Sequence, residues 1–305
     1  MKIILTGSTG LIGSRFEELM LENHEIIPMP TQVDITDPVA VSNFFNEQGA
    51  DVLIHFAGKT DVDLCEDDKN YDLGVLNIGE KDIVNFDVSK ISVNDWVGGK
   101  SAFAVNVVGT VNLYNNAKEK GIKFVYISSD FVFSGYGEYD ENSIPSPINW
   151  YGMTKYLGEK VIDLEIDLVV RLSFPYGYKS SVKKDFVWKI HDLLQSRDEV
   201  SLVSDQIITP TFIDDIVMGL DFILSKNVTG KFHLSGGDSF SPKEMGNIIK
   251  DTFGLDCKIN EITLEKLYEG KAPRPFKSIL NNARLVELGF HPKSFDEGLD
   301  LVKNT

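Results

Sequence analysis

Tyr151 and Lys155 stand four residues apart in YGMTK, a spacing that puts both side chains on one face of a helix. An ammonium about 4 Å from a phenol stabilises the phenolate by roughly 4 kcal/mol at an effective dielectric of about 20. That attraction is expected to bring a tyrosine pKa of about 10 toward working pH. Such a tyrosine can hand a proton to a carbonyl oxygen while hydride arrives at the carbon. Upstream, the run FVYIS ends in Ser128-Ser129-Asp130. A hydroxyl at Ser129 would orient the carbonyl beside Tyr151, and Asp130 would border the substrate. A lone YxxxK pattern occurs often by chance, so its weight here comes from what precedes it.

What precedes it is GSTGLIG, residues 7–13, directly after a short apolar run. Gly7 permits a tight exit from a strand, Gly10 lets backbone approach a pyrophosphate, and Gly13 lets helix and sheet pack closely. Free N–H groups at the helix start would hold the phosphates. Thr9, Leu11 and Ile12 complete the expected cofactor loop. The spacing is GxxGxxG rather than GxGxxG, so the usual dehydrogenase fingerprint is not matched. No acid follows the second strand at Ile27-Pro28-Met29-Pro30. Arg15 could reach a 2′-phosphate or be a solvated helix residue, so NADP and NAD both stay open, leaning to NADP. Asp34-Ile35 falls where an adenine contact is expected, although Asp34 alone reads equally as a turn residue.

These groups need a scaffold, and the chain supplies one. Near-continuous apolar runs at 2–6, 25–29, 51–56, 124–128 and 168–172 predict buried strands. Helical patterns at 11–21, 39–47, 103–119 and 151–162 lie between them, the second opened by Pro38 with Asp37 as its cap. This alternation predicts an α/β fold: a Rossmann-type, doubly wound parallel sheet. The expected division is a dinucleotide-binding domain over 1–172 and a smaller α/β substrate lobe over 173–305, with some segments returning to the first domain. Helices are expected near 184–195 and 242–253. Residues 69–100, rich in Asn, Asp and Gly, read as an irregular insertion: a surface loop, a flap over the site or a subunit contact.

The 305 residues are 42% hydrophobic and 25% charged, an ordinary globular balance. The formal charge of −16 disfavours nucleic acid and anionic membranes as partners. No apolar stretch is long enough for a transmembrane helix, and the first residues read as a strand rather than a signal peptide, so a cytoplasmic protein is expected. Cys65 and Cys257 have no metal-ligand or CxxC spacing and the five histidines form no such pattern, so no metal is expected.

Taken together, these segments resemble the extended short-chain dehydrogenase/reductase superfamily, and within it the dTDP-4-dehydrorhamnose reductase group. The resemblance rests on GSTGLIG, DITDPVAV (34–41), ADVLIHFAGKTDVDLCE (50–66), VNVVGTVNL (105–113), ISSDFVFSG (127–135), YGMTKYLGE (151–159), RLSFPYG (171–177), DQIITPTFIDDI (205–216) and APRPFKSIL (272–280). It implies an NAD(P)-dependent oxidoreductase that reduces a 4-keto-6-deoxy sugar on a nucleotide in dTDP-rhamnose biosynthesis. It further implies that Ser129, Tyr151 and Lys155 are catalytic, with serine where many members have threonine. Ala57, Gly58 and Thr60 would line the cofactor, and Ser173 and Pro175 would lie near the nicotinamide.

In the C-terminal third, Arg274 sits between Pro273 and Pro275, which would hold its guanidinium ready for a diphosphate. Gln206, Lys277 and Thr211 are weaker substrate candidates, and Trp150 could pack on the sugar. Two other functions fit the same residues: a sugar-nucleotide epimerase or dehydratase that regenerates its cofactor in place, and a regulatory subunit like the β subunit of methionine adenosyltransferase. A homodimer is compatible with either.

Overall fold

A computed structural model describes residues 1–179 and 184–303. Its centre is a six-stranded parallel sheet. The strands are β1 (Lys2–Thr6), β2 (Glu25–Pro28), β3 (Val52–His55), β4 (Lys123–Ser129), the strand Leu168–Leu172 and the strand Gly230–Leu234. Across the sheet β2 is the edge, followed by β1, β3, β4, Leu168–Leu172 and Gly230–Leu234. The order reverses between β1 and β3, which opens a crevice at their carboxyl ends.

Period-2 geometry explains why the strands read as unbroken apolar runs. Ile3, Leu5, Ile54 and Val170 face a core shared with α1 (Leu11–Met20) and the helix Ile213–Ser225. Ile4, Leu53, Phe124 and Val169 face the opposite core, shared with α2 (Pro38–Glu47) and α4 (Gly109–Glu119). Asp37 caps α2, accepting from the N–H groups of Val39 and Ala40, as its sequence position predicts.

A separate core gathers Tyr176, Trp188, Leu202, Ile249 and Phe295. Helix Pro242–Phe253 spans the predicted residues, opened by a Ser241–Glu244 capping box and closed by Gly254 at φ 64°.

Residues 69–100 hold more structure than an irregular loop. Helix α3 (Val62–Leu76) runs into this segment, capped by Asp61 and ended by Asn77 at φ 49°. Among its residues Cys65 and Asp72 are buried, so no apolar stripe marks it in the sequence. Three 3₁₀ turns follow, at Ile83–Asn85, Val88–Lys90 and Val93–Trp96. The predicted helix 103–119 also divides: Ala104–Val108 forms a π-bulge before α4, a feature frequent at functional sites.

Candidate active site

The carboxyl ends of β1, β3 and β4 open into one cleft of about 590 Å³. Gly7, Thr9, Gly10, Leu11, Ile12 and Gly13 line it from one side, with Ala57, Gly58 and Thr60 beyond β3. Ser129, Asp130, Tyr151 and Lys155 line the other side. Residues far apart in the chain thus converge on one space.

The glycine turn is built on close approach. Gly7 has φ 69°, and a Cβ there would lie 2.7 Å from the amide nitrogen of Ala57. A Cβ on Gly13 would lie 2.3 Å from the carbonyl oxygen of Gly7. Gly10 donates to that same oxygen at 2.9 Å, and α1 begins with no side chain capping it. The first-turn N–H groups therefore face the cleft, a cradle that suits a pyrophosphate. Gly13→Ala is expected to lower stability by about 1–3 kcal/mol, because neither backbone can yield cheaply. Urea unfolding of the variant checks this; wild-type stability would refute the packing account.

Polar contacts fix the loop after β3. His55 stands between the hydroxyls of Thr6 (2.7 Å) and Thr110 (3.1 Å), and Ala57 donates to Thr6 Oγ1. Asn106, inside the π-bulge, accepts from the amide of Lys59 at 2.8 Å and donates to Lys59 O and Thr154 Oγ1, both at 3.0 Å. Thr154 in turn donates to Tyr151 O. Asn106 thus ties the cofactor-side loop to α5 (Trp150–Glu159), the helix that carries Tyr151 and Lys155. The sequence offers no sign of this role, since Asn106 reads as one polar residue inside an ordinary helix.

Asp130 organises the hydroxyl side. Its carboxylate accepts from Ser129 Oγ at 3.0 Å and from Ser173 Oγ at 3.2 Å, and its carbonyl accepts from Ser278. Burial raises its pKa to about 7. Burial also raises the Tyr151 phenol, partly opposed by hydrogen bonding with Ser129. Lys155 moves the other way, lowered to about 7 by burial with Glu159 opposing. Its ammonium lies 4.1 Å from the centre of the Tyr126 ring. The expectation that Lys155 draws the phenol's pKa down toward neutrality is therefore corrected: burial pushes the phenol up, and it stays protonated. A protonated phenol is the form a proton donor requires.

Other candidates lie outside the cleft. Trp150 does not pack on a ligand: it is 2% exposed, and its indole donates to Asp72 at 2.7 Å. Its own amide donates to Glu66, so α3 fixes the start of α5. Gln206 is buried and donates to Pro275 O, supporting the loop rather than reaching the cleft. Thr211 is buried too, donating to Ser173 O. Lys277 lies in a strand, its amide bonded to Gly135 O. Arg274 borders a second cavity of about 660 Å³, bonded to Asp63 at 2.9 Å and to Ala272 O at 2.7 Å. Arg15 is held by both oxygens of Asp214 and by Glu18, so it is not a free cation awaiting a 2′-phosphate. Asp34 accepts from the amide and hydroxyl of Thr36, forming a turn after β2.

Phe174, Lys184, Phe186 and Lys189 also line the cleft and were not singled out from the sequence. Phe174 has φ 38°, an uncommon conformation for a bulky residue that orients it between Ser173 and Pro175. Among the described residues, no cluster of His, Cys, Asp and Glu could hold a metal ion, and no helix is long and apolar enough to cross a membrane.

The pattern of the RmlD substrate binding domain family matches residues 1–86 and 98–305. The chain is 28% identical to spore coat polysaccharide biosynthesis protein SpsK of Bacillus subtilis, covering 98% of this chain and 95% of that protein. It is 27% identical to methionine adenosyltransferase 2 subunit beta of Rattus norvegicus, covering 94% of this chain and 82% of that one. A crystal structure of dTDP-4-dehydrorhamnose reductase from Bacillus anthracis in complex with NADP superposes with a TM-score of 0.82 at 28% identity, covering 99% and 98% of the two chains.

Proposed function

The chain belongs to the RmlD substrate binding domain family, and from that premise we propose that it reduces a nucleotide-linked 4-keto-6-deoxy sugar with NADPH or NADH. The observation that carries this is the convergence of the glycine turn, Ser129, Tyr151 and Lys155 on one cleft. The uncapped first turn of α1 and the glycine contacts suit a dinucleotide's pyrophosphate. When bound, the reduced nicotinamide supplies hydride.

The protein's own residues do the rest. Ser129, whose single hydroxyl proton is given to Asp130 in this structure, turns that proton to the substrate carbonyl when substrate is bound. Tyr151, kept protonated by burial, gives its proton to the oxygen that becomes a hydroxyl. Lys155, as an ammonium, stabilises the phenolate left behind. Arg274, on its stiff Pro273–Pro275 setting at the second cavity, would hold the diphosphate by exchanging its bond to Asp63 for the phosphate. The sugar and the base are the finer part of this proposal.

Incubation with dTDP-4-keto-6-deoxymannose and each reduced dinucleotide tests it: near-ultraviolet absorbance of the dinucleotide should fall as sugar product forms. Conversion without net dinucleotide loss would replace the reductase with an epimerase. No conversion, together with an effect on a methionine adenosyltransferase, would favour a regulatory subunit, the role suggested by similarity to the β subunit. The intact Tyr151–Lys155 pair weighs against that role.

The charge states predict a pH dependence. Lys155 loses its proton above about pH 7 and Asp130 gains its charge there. Both changes oppose phenolate formation, so kcat/KM for the dinucleotide, which reports the free protein, should fall above about pH 7. A flat profile from pH 6 to 9 would contradict these assignments.

A further inference from the structure

Residues 87–97 are the internal stretch that the family pattern leaves out. They do not hang free. Trp96 is buried with its ring 4.8 Å from Phe103, and neighbouring Phe86 packs on Phe103 at 6.2 Å. The same apolar cluster includes Trp150 and Leu157 of α5, with Tyr151 packed against it. Lys160, just past α5, donates to Phe86 O at 2.7 Å and Val84 O at 3.4 Å, holding the near end of the segment to the catalytic helix.

The far end reaches a different place. Gly99 donates to Trp96 O at 2.9 Å, closing a turn so tight that a Cβ on Gly99 would lie 2.8 Å from that oxygen. This turn aims the amide of Gly98 at Thr36 Oγ1, 3.0 Å away. Thr36 Oγ1 donates in turn to Asp34 Oδ1 at 2.7 Å. The segment therefore spans from the end of α5 to the turn after β2, on the opposite flank of the glycine loop from Tyr151.

We propose that residues 87–98 form a strap that presets the Asp34–Thr36 turn for the adenosine half of the dinucleotide and so raises affinity for that half alone. The proposal rests on the dinucleotide reading of the cleft and on the turn's place after β2, the strand beside β1, where a doubly wound sheet puts the adenosine half beyond the cleft's own lining. The turn has no cation of its own between residues 28 and 36, so its contribution depends on shape and hydrogen-bond direction. Ordering such a turn before the ligand arrives removes a cost that binding would otherwise carry. The strap does this through one amide, while its apolar side is anchored to rigid structure.

The test uses two halves of the ligand as probes, ADP-ribose and nicotinamide mononucleotide, with affinities measured by calorimetry. Replacing residues 87–97 with a two-glycine link should weaken ADP-ribose binding by about tenfold, equivalent to about 1.4 kcal/mol, and leave the mononucleotide unchanged. Thr36→Val keeps the strap but removes its acceptor, and should give the same selective loss if the deletion fails to fold. Undiminished ADP-ribose affinity in either folded variant, or equal loss for both probes, would overturn the proposal. If the unaltered protein binds neither probe, the dinucleotide reading itself falls.

Discussion

Tyr151→Phe is expected to slow turnover by about 10²–10⁴-fold while leaving the protein folded and able to bind dinucleotide. The ring is retained, and with it the contact to Phe131 at 5.5 Å and the packing against the Trp96–Trp150 cluster. What is lost is the phenolic proton. Ser129 keeps Asp130 and the Phe131 amide as partners, so no buried group is orphaned. Stability should therefore change by no more than about 1 kcal/mol. Steady-state kinetics and thermal unfolding on one preparation separate chemistry from folding. Undiminished turnover would remove Tyr151 from the chemistry. A variant that keeps an effect on a partner enzyme while no sugar activity exists in the wild type would identify a regulatory subunit instead.

The largest stability effect is expected from Arg171→Ala, about 3–5 kcal/mol, because it leaves a buried carboxylate without its counter-charge. Arg171 is fully buried and meets both oxygens of Glu159, at 2.8 and 2.7 Å. Glu159 also accepts from Ser128 at 2.6 Å, so the pair joins α5 to β4 and the strand Leu168–Leu172. Replacing both partners together, Arg171→Met with Glu159→Leu, should recover much of the loss, since no isolated charge remains. Urea unfolding of the two singles and the double completes the cycle. If each single costs under about 1 kcal/mol, the pair is not a structural clamp. Activity in the double variant is a separate readout, because Glu159 also helps keep Lys155 charged.

Acid should weaken the fold through two buried imidazoles. His55 and His233 are each lowered to about 3, chiefly by burial, with Lys155 acting on His55 and Arg171 on His233. Their unfolded values are near 6.5, so the unfolded chain binds more protons between these limits. Stability from these groups is whole above about pH 6.5 and declines as pH falls toward 3. Asp130, raised to about 7, acts in the opposite sense over the same range, so the imidazole share is read by comparison: on going from pH 7 to pH 5 the denaturant midpoint of His55→Gln should fall less, or rise more, than that of the unaltered protein.

How much was readable in advance depended on whether a residue's role is local. Strands and helices of the central sheet follow from apolar period, and the cap at Asp37 and the helix 242–253 fall where their residue types require. The glycine turn was legible because its geometry depends on side chains that are missing. Tyr151 and Lys155 were legible because one helix turn joins them. Helix α3 was not, because its polar residues work through bonds to other elements: Asp63 to Arg274, Glu66 to the Trp150 amide, Asp72 to the Trp150 indole.

The sequence by itself therefore determined the parallel α/β scaffold, the close-packed glycine turn at 7–13 and the placing of Tyr151 and Lys155 together on one helix, since periodicity and short spacings are properties of the chain. Tertiary structure alone decided which polar groups stand free. It drew Trp150, Gln206 and Arg15 into partnerships and set the protonation of Tyr151, Lys155 and Asp130 by burial. The reason is physical: desolvation and hydrogen-bond partnership depend on neighbours distant in sequence, and no spacing along the chain encodes who those neighbours are.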